Sequence, residues 1–106
     1  MLSKEEMLQL RTSYIEIGKL VQRYGHGCYN LRTLMGQVVC IDSNEEDSVK
    51  LQYLLDSYNN MFCFKGGLDE FAVCECDESH ERCIELNKRF RRESQKIWEI
   101  LKKYIL

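Results

Sequence analysis

The densest group of reactive side chains lies between residues 74 and 83, where three cysteines and one histidine occur within ten positions. Cys76, His80 and Cys83 follow one another at i, i+4 and i+7, a spacing that places all three on one face of a helix. Thiolates and imidazoles are ligands that Zn²⁺ prefers, and a structural site needs four of them. The candidate zinc ligands are therefore Cys74, Cys76, His80 and Cys83, with Cys63 or His26 as substitutes.

An alternative interpretation treats the cysteines as small core residues with reduced thiols. The sequence starts with charged residues instead of an apolar stretch of signal-peptide length, and no segment has the roughly eighteen apolar residues that a spanning helix needs. These features favour a cytoplasmic protein with no membrane span, and thiols stay reduced in the cytoplasm. Disulfide bonds among the six cysteines would instead indicate a secreted protein.

The same segment resembles part of a known family, the secreted phospholipases A2. It has the C-x-C-D-x5-C pattern of that family's aspartate signature, formed by Cys74, Cys76, Asp77 and Cys83. The run Tyr24-Gly25-His26-Gly27 is similar to the family's glycine-rich calcium loop. The resemblance implies a long helix that disulfides join to a preceding antiparallel helix. The family's cysteine pair and histidine–aspartate dyad are missing before Cys63, so the protein implied is secreted and catalytically inactive.

Catalytic motifs are absent from the rest of the sequence. A nucleophilic pair of Cys28 and His26 is conceivable, but a cysteine nucleophile needs a positioned base and a third group that orients it. There is no P-loop, no dinucleotide-binding glycine motif, and no zinc-protease or serine-hydrolase motif. The sequence leaves enzymatic activity open and leans against it.

Charge is unevenly distributed along a chain whose formal net charge is only −2. Residues 41–81 contain eleven acidic and two basic residues, whereas residues 82–106 contain eight basic and three acidic ones. The two segments should attract each other, within the fold or between subunits of a homo-oligomer. Phe90 is the one aromatic residue within the densest basic stretch, residues 88–92, and the whole chain is acidic. Both features argue against nucleic acid as a partner. The candidate partner-binding residues are Arg89, Arg91, Arg92, Trp98 and Tyr104.

Helical periodicity accounts for most of the chain, and no proline interrupts it. Ser3-Lys4-Glu5-Glu6 has the form of a capping box, and apolar residues then recur every three or four positions up to Tyr24. Residues 28–41 favour a short second helix, although Val38-Val39-Cys40-Ile41 could equally be extended. Ser43-Asn44-Glu45-Glu46 repeats the capping box before a third helix at about residues 44–64, which Gly66-Gly67 ends.

The last element is predicted as one long helix over about residues 68–105. This segment contains no glycine and no proline, and five side chains suited to a buried seam recur every seven positions, namely Cys76, Cys83, Phe90, Ile97 and Tyr104. A tight turn at Gly66-Gly67 would make the helix antiparallel to the one at about residues 44–64. The sequence therefore predicts an all-α fold. Residues 1–106 should form a single domain, a small bundle of three to four helices with a long C-terminal helix.

Together these features indicate a small, non-enzymatic interaction or regulatory protein, such as an inhibitor or an adaptor. It would act by binding another protein through its helical surface. The prediction depends on the missing catalytic motifs, the segregated charge, and a last helix that is longer than a compact bundle needs. Two alternatives stay open: a zinc-stabilised helical binding module, and the inactive phospholipase-A2-like protein.

Overall fold

Four α-helices account for most of this computed structural model, which describes residues 1–63 and 67–105. In chain order they are α1 (Lys4–Tyr24), α2 (Leu31–Asp42), α3 (Asp47–Phe62) and α4 (His80–Leu101). Two short 3₁₀ turns lie at Leu68–Glu70 and Lys102–Tyr104, and the second continues α4. The described residues contain no strand. The predicted all-α class, with a long C-terminal helix, is confirmed.

The first helix begins and ends where local sequence signals place its boundaries. The Ser3 hydroxyl accepts a hydrogen bond from the Glu6 amide at 3.0 Å, and the Glu6 carboxylate accepts one from the Ser3 amide at 3.0 Å. This reciprocal capping box satisfies two amides that a helix N-terminus otherwise leaves without partners. After Tyr24 the chain turns through His26 and Gly27, whose φ angles of 52° and 73° are left-handed and cannot continue a helix.

The second helix runs back along α1. Arg11, in the first half of α1, binds Asp42 at the end of α2 with a 2.8 Å contact between Nε and Oδ1. Near the middle of the pair, a Cβ added to Gly18 would lie 2.3 Å from the methyl carbon of Met35. The missing side chain at residue 18 thus leaves room for the end of the Met35 side chain. Residues 38–41, whose sequence left strand and helix open, are helical.

The capping box predicted at residues 43–46 is not formed. Ser43 instead closes α2, since its hydroxyl donates to the Cys40 carbonyl at 2.7 Å. The third helix consequently begins at Asp47, and its N-cap residue Glu46 makes no side-chain capping bond. The end predicted at Gly66-Gly67 includes Gly66, which lies outside the described residues. The Ser43 hydroxyl also accepts a hydrogen bond from the Glu45 amide at 3.3 Å, but Glu45 precedes α3, so this bond does not cap that helix.

The fourth helix begins at His80, twelve residues later than the predicted start at Leu68. Phe71 and Val73 lie in an irregular segment, and the side chains of these two residues are buried. The Asn87 side chain holds this segment against α4, because it accepts a hydrogen bond from the Val73 amide at 2.8 Å and donates one to the Val73 carbonyl at 3.2 Å. Ser79 then caps the helix by accepting from the Arg82 amide. The amide and the carbonyl of Val73 are therefore hydrogen-bonded to a side chain and not to the backbone of a helix.

The fourth helix packs mainly on α1 and runs antiparallel to it. Three contacts are spaced along the two helices and the residues that flank them. They join Glu6 to Lys103, Ser13 to Glu93, and Tyr24 to Glu78. The Ser13 hydroxyl donates to a Glu93 carboxylate oxygen at 3.0 Å, and both residues are buried. The apolar core lies around this pair of helices and includes the fully buried Leu10, Tyr14, Ile17, Leu54, Ile97 and Leu101.

Candidate functional site

A groove lined by aromatic side chains lies where α3, the segment after the first 3₁₀ turn and α4 meet. Its volume is about 510 Å³. The rings of Tyr58 and Trp98 lie 5.6 Å apart, and those of Phe71 and Phe90 lie 4.7 Å apart. Its polar lining consists of Asp69, Asn87, Arg91, Ser94 and Gln95.

The groove depends on the irregular segment that sequence reasoning assigned to a helix. The two hydrogen bonds between Asn87 and the Val73 backbone hold the chain beside α4. Phe71 is buried two residues earlier, and its ring contacts Phe90 of α4 and Tyr29 of the connection before α2. The groove is thus lined by three separate parts of the chain, namely α3, residues 69–72 and α4.

Three arginines that the sequence singled out have different electrostatic surroundings. Arg89 lies 3.9 Å from the carboxylate of Glu85, and Arg92 lies 3.9 Å from that of Glu93. Arg91 lines the groove and has no ion pair within the described part of the chain. Its guanidinium is therefore the one among these three that an external carboxylate can approach without displacing a partner.

The two predicted aromatic partner-binding residues lie in different places. Trp98 is 37% exposed and lines the same groove as Arg91. Tyr104 is half-buried, and its hydroxyl donates to the Met1 carbonyl at 2.9 Å and contacts a Glu6 carboxylate oxygen at 3.1 Å. The structure thus brings Arg91 and Trp98 together, while Tyr104 connects the two ends of the chain.

A second surface, which sequence reasoning missed, lies between α2 and α3. It is a mainly apolar groove of about 640 Å³, and Val39, Val49 and Tyr53 line it with exposed side chains. Val49 shares the apolar spacing of α3, yet it is 48% exposed. The apolar spacing predicts a helix correctly, but it does not show whether another element covers the first turn.

The positions of the cysteines agree in full neither with the zinc-site interpretation nor with the interpretation as reduced core thiols. Cys74 and Cys76 form a disulfide with an S–S distance of 2.04 Å, and both are exposed. Cys83 is buried and its thiol contacts the Glu78 carbonyl at 3.7 Å. Desolvation by burial, and then the nearby carboxylates, raise the pKa of the Cys83 thiol. Cys83 is thus a core thiol as one interpretation held, whereas Cys76 is not.

The predicted zinc ligands do not all come together. Within the described residues, one group of three ligand atoms lies within 4.8 Å of one another, and it comprises Cys74, Cys76 and Asp77. His80 contacts Glu75 instead. Desolvation by burial, and then Asp69, raise the pKa of the Cys63 thiol, which is free. The structure therefore provides a cysteine and aspartate cluster without His80 and Cys83.

The resemblance to phospholipases A2 implied a disulfide between the C-terminal helix and the helix before it. Cys63 follows α3 and Cys83 lies in α4, and both thiols are free. The described pairing joins Cys74 to its near neighbour Cys76. The cysteine framework implied by the resemblance is not the one that the structure contains.

Comparison with known proteins adds no family to these observations. No protein-family model, no curated protein and no solved structure matches the chain. Across the described ranges, none of the helices combines the length and the apolar character needed to cross a bilayer.

Proposed function

We propose that this protein binds another protein through the groove that contains Arg91 and Trp98, and that it acts as an inhibitor or adaptor. The observation that carries the proposal is Arg91, which forms no ion pair with the described residues, beside four aromatic rings in one groove. Arginine, tryptophan and tyrosine are the residues most enriched where truncation costs the most binding energy.

The chemistry of the groove selects the kind of segment that would occupy it. Tyr58, Phe71 and Trp98 offer an apolar surface, and Arg91 offers five donors in a planar fork suited to a carboxylate. The described ion pairs of the lysines and arginines in α4 and its 3₁₀ extension join residues within these elements, except that Lys103 pairs with Glu6 of α1. We infer that the partner supplies an acidic segment with an apolar side chain, which would place one carboxylate on Arg91.

The test compares two charge reversals on the same helix. Arg91→Glu reverses the unpaired charge in the groove, while Lys88→Glu reverses an exposed charge that does not line it. We expect Arg91→Glu to weaken partner capture at least about tenfold, which corresponds to about 1.4 kcal/mol. Lys88→Glu should leave capture close to that of the unmodified protein, and circular dichroism should show equal helicity for both variants.

The position of the partner can be checked independently of its affinity. A photo-crosslinking residue in place of Gln95, which lines the groove, should join to the partner, whereas one in place of the exposed Ile84 should not. Equal loss of capture in both charge variants, or crosslinking from residue 84 alone, would contradict the proposal. Light scattering that shows a dimer lost in Arg91→Glu would make a second copy of the chain the occupant.

A second candidate is a zinc-stabilised helical module, favoured by the cluster of Cys74, Cys76 and Asp77. A metal that holds a fold together contributes its binding free energy to folding. Chelation should then lower the Tm of reduced protein purified without a metal-binding tag. An unchanged Tm would show that the apolar core holds the helices without a metal.

A further inference from the structure

A short turn before α4 gathers two sulfur ligands and one oxygen ligand. The Asp77 amide donates to the Cys74 carbonyl at 3.0 Å, which closes the turn. Within it, the sulfur atoms of Cys74 and Cys76 are bonded, and the Cys74 sulfur lies 3.6 Å from Oδ2 of Asp77. All three residues are exposed, so an ion in solution can reach their ligand atoms.

A histidine at the end of α1 contacts Asp77 of the same turn, from outside the group of three ligand atoms that lie within 4.8 Å of one another. The His26 ring nitrogen Nε2 lies 2.5 Å from Oδ2 of Asp77, the same oxygen that the Cys74 sulfur contacts. His26 adopts a φ of 52°, a left-handed conformation that is uncommon for a residue with a Cβ. Beside it, the hydroxyl of the buried Tyr24 donates to the Glu78 carboxylate and ties α1 to the same turn.

We propose that the reduced protein binds a thiophilic divalent cation such as Zn²⁺ through Cys74, Cys76, Asp77 and His26. The Cys74–Cys76 disulfide is then the oxidised form, which cannot bind the cation. This inference uses the same cluster of Cys74, Cys76 and Asp77 as the zinc-stabilised candidate and adds His26 as the fourth ligand. It is independent of the groove that contains Arg91, and it does not require the cation to hold the helices together.

The donor set fits the chemistry of zinc. Two thiolates, one imidazole and one carboxylate complete a tetrahedral site with bond lengths of about 2.0–2.3 Å, which separates the two sulfurs by about 3.7 Å. The sulfurs reach that separation after their bond is broken, and both belong to an exposed turn. Glu75 and Glu78 add negative charge on either side of the turn and attract a cation toward it.

The change between the two forms has a defined balance of atoms and electrons. Two molecules of a small monothiol such as 2-mercaptoethanol give two electrons and two protons to the Cys74–Cys76 bond and leave as their own disulfide. The cation then displaces the two thiol protons and binds the resulting thiolates. A small-molecule disulfide reforms the Cys74–Cys76 bond by thiol–disulfide exchange: it takes two electrons from the two thiolates, leaves as two thiolates of its own, and the cation is released.

The test is a titration of the reduced full-length protein with Co²⁺, whose absorption reports thiolate ligands and tetrahedral geometry. We expect one equivalent of Co²⁺ to bind with a thiolate-to-cobalt charge-transfer band, and none to bind to the oxidised protein. Cys76→Ser should lose the band, whereas Cys63→Ser should keep it because Cys63 is an exposed thiol outside the cluster. His26→Ala should weaken binding at least about tenfold, and His80→Ala should have little effect.

Three results would overturn the site: less than about a tenth of an equivalent bound by reduced protein, an unchanged band in Cys76→Ser, or a lost band in Cys63→Ser. Circular dichroism with and without a chelator separates this site from a structural zinc. Cobalt binding with an unchanged Tm supports the site and removes the zinc-stabilised candidate. Failure of cobalt binding with intact partner capture would remove the site and leave the groove proposal standing.

Discussion

The α1–α4 pair and the α2–α3 pair contrast in what they do with their apolar side chains. Leu10 and Ile17 of α1, and Ile97 of α4, are fully buried between elements. In the other pair, Val39 of α2 is 69% exposed and Val49 of α3 is 48% exposed. The first pair uses its apolar residues to hold the fold together, and the second leaves part of its apolar residues on the surface.

The polar contacts follow the same division. The α1–α4 pair contains a buried hydrogen bond between Ser13 and Glu93, and an ion pair between Glu6 and Lys103 connects the two ends of the chain. The described ion pair of α2 with α1 joins Arg11 to Asp42, whose side chains are 40% and 49% exposed. Water and salt screen an exposed pair of this kind. We therefore expect substitutions in α1 and α4 to change stability most.

The largest effect is expected at Ile97, which is fully buried in α4. Ile97→Ala should lower the free energy of unfolding by about 2–5 kcal/mol, because it removes buried methyl groups and leaves a cavity. Ile84→Ala in the same helix is the matched control, since Ile84 is 44% exposed. Urea denaturation should separate the two variants. Equal losses would mean that α1 and α4 do not hold the fold in the way described.

A smaller effect is expected from the buried hydrogen bond between α1 and α4. Ser13→Ala removes the donor to the Glu93 carboxylate and should lower the free energy of unfolding by about 1–3 kcal/mol. Ser94→Ala is the matched control, because the Ser94 hydroxyl is buried and has no hydrogen-bond partner within the described ranges. Thermal denaturation of both variants should show a loss in Ser13→Ala alone.

The contact between the chain ends should make stability depend on pH. Hydrogen bonds from the Lys103 ammonium and the Ser3 amide lower the pKa of Glu6 from 4.5 to about 2. A lowered folded-state pKa gives stability that is complete above pH 4.5 and is lost as the pH falls toward 2. Glu6→Gln should therefore cost about 1 kcal/mol at pH 7. That cost should shrink toward zero near pH 2.

Unfolding curves of the Glu6→Gln variant and the unmodified protein, measured across that pH range, check this prediction. Glu5→Gln is the control, since Glu5 is the exposed neighbour of Glu6 in the first turn of α1. A constant difference between Glu6→Gln and the unmodified protein at every pH would contradict the role assigned to the Glu6 carboxylate.

The smallest effect is expected on the exposed face of α2. Val39→Asn should change the free energy of unfolding by less than about 0.5 kcal/mol, because valine and asparagine have similar helix propensities and residue 39 is exposed. Val38→Asn should cost more than about 1 kcal/mol, since Val38 packs against the core. Chemical denaturation of both variants tests the contrast, and a large loss in Val39→Asn would show that this face is covered in solution.

The parts of the fold that local signals specify could be predicted. The α1 boundaries follow from the Ser3–Glu6 capping box and from the Gly25-His26-Gly27 stop, which all act within a few residues. The start of α4 also has a local signal, since the Ser79 hydroxyl accepts from the Arg82 amide, but the uninterrupted sequence before it does not show that residues 71–78 stay outside the helix. Asn87 binds the backbone of Val73, fourteen positions earlier, and this contact exists only once α4 has formed.

The residues of the two candidate sites likewise differ in whether the sequence alone identified them. Spacing along the sequence selected Arg91, Trp98, Cys74 and Cys76 as reactive or binding residues, and each retains a place in a candidate site. Spacing also selected His80 and Cys83, but these residues lie outside the cysteine and aspartate cluster. His26 reaches Asp77 across 51 positions of sequence, a separation over which periodicity carries no information.

The sequence by itself determined an all-helical chain, the capped start of α1 and the residue types available for binding, because short-range hydrogen bonds and periodicity control these features. Tertiary structure alone decided which apolar faces are covered and which histidine approaches the cysteine pair. These outcomes depend on contacts between residues far apart in the chain, and such contacts form only when the helices pack.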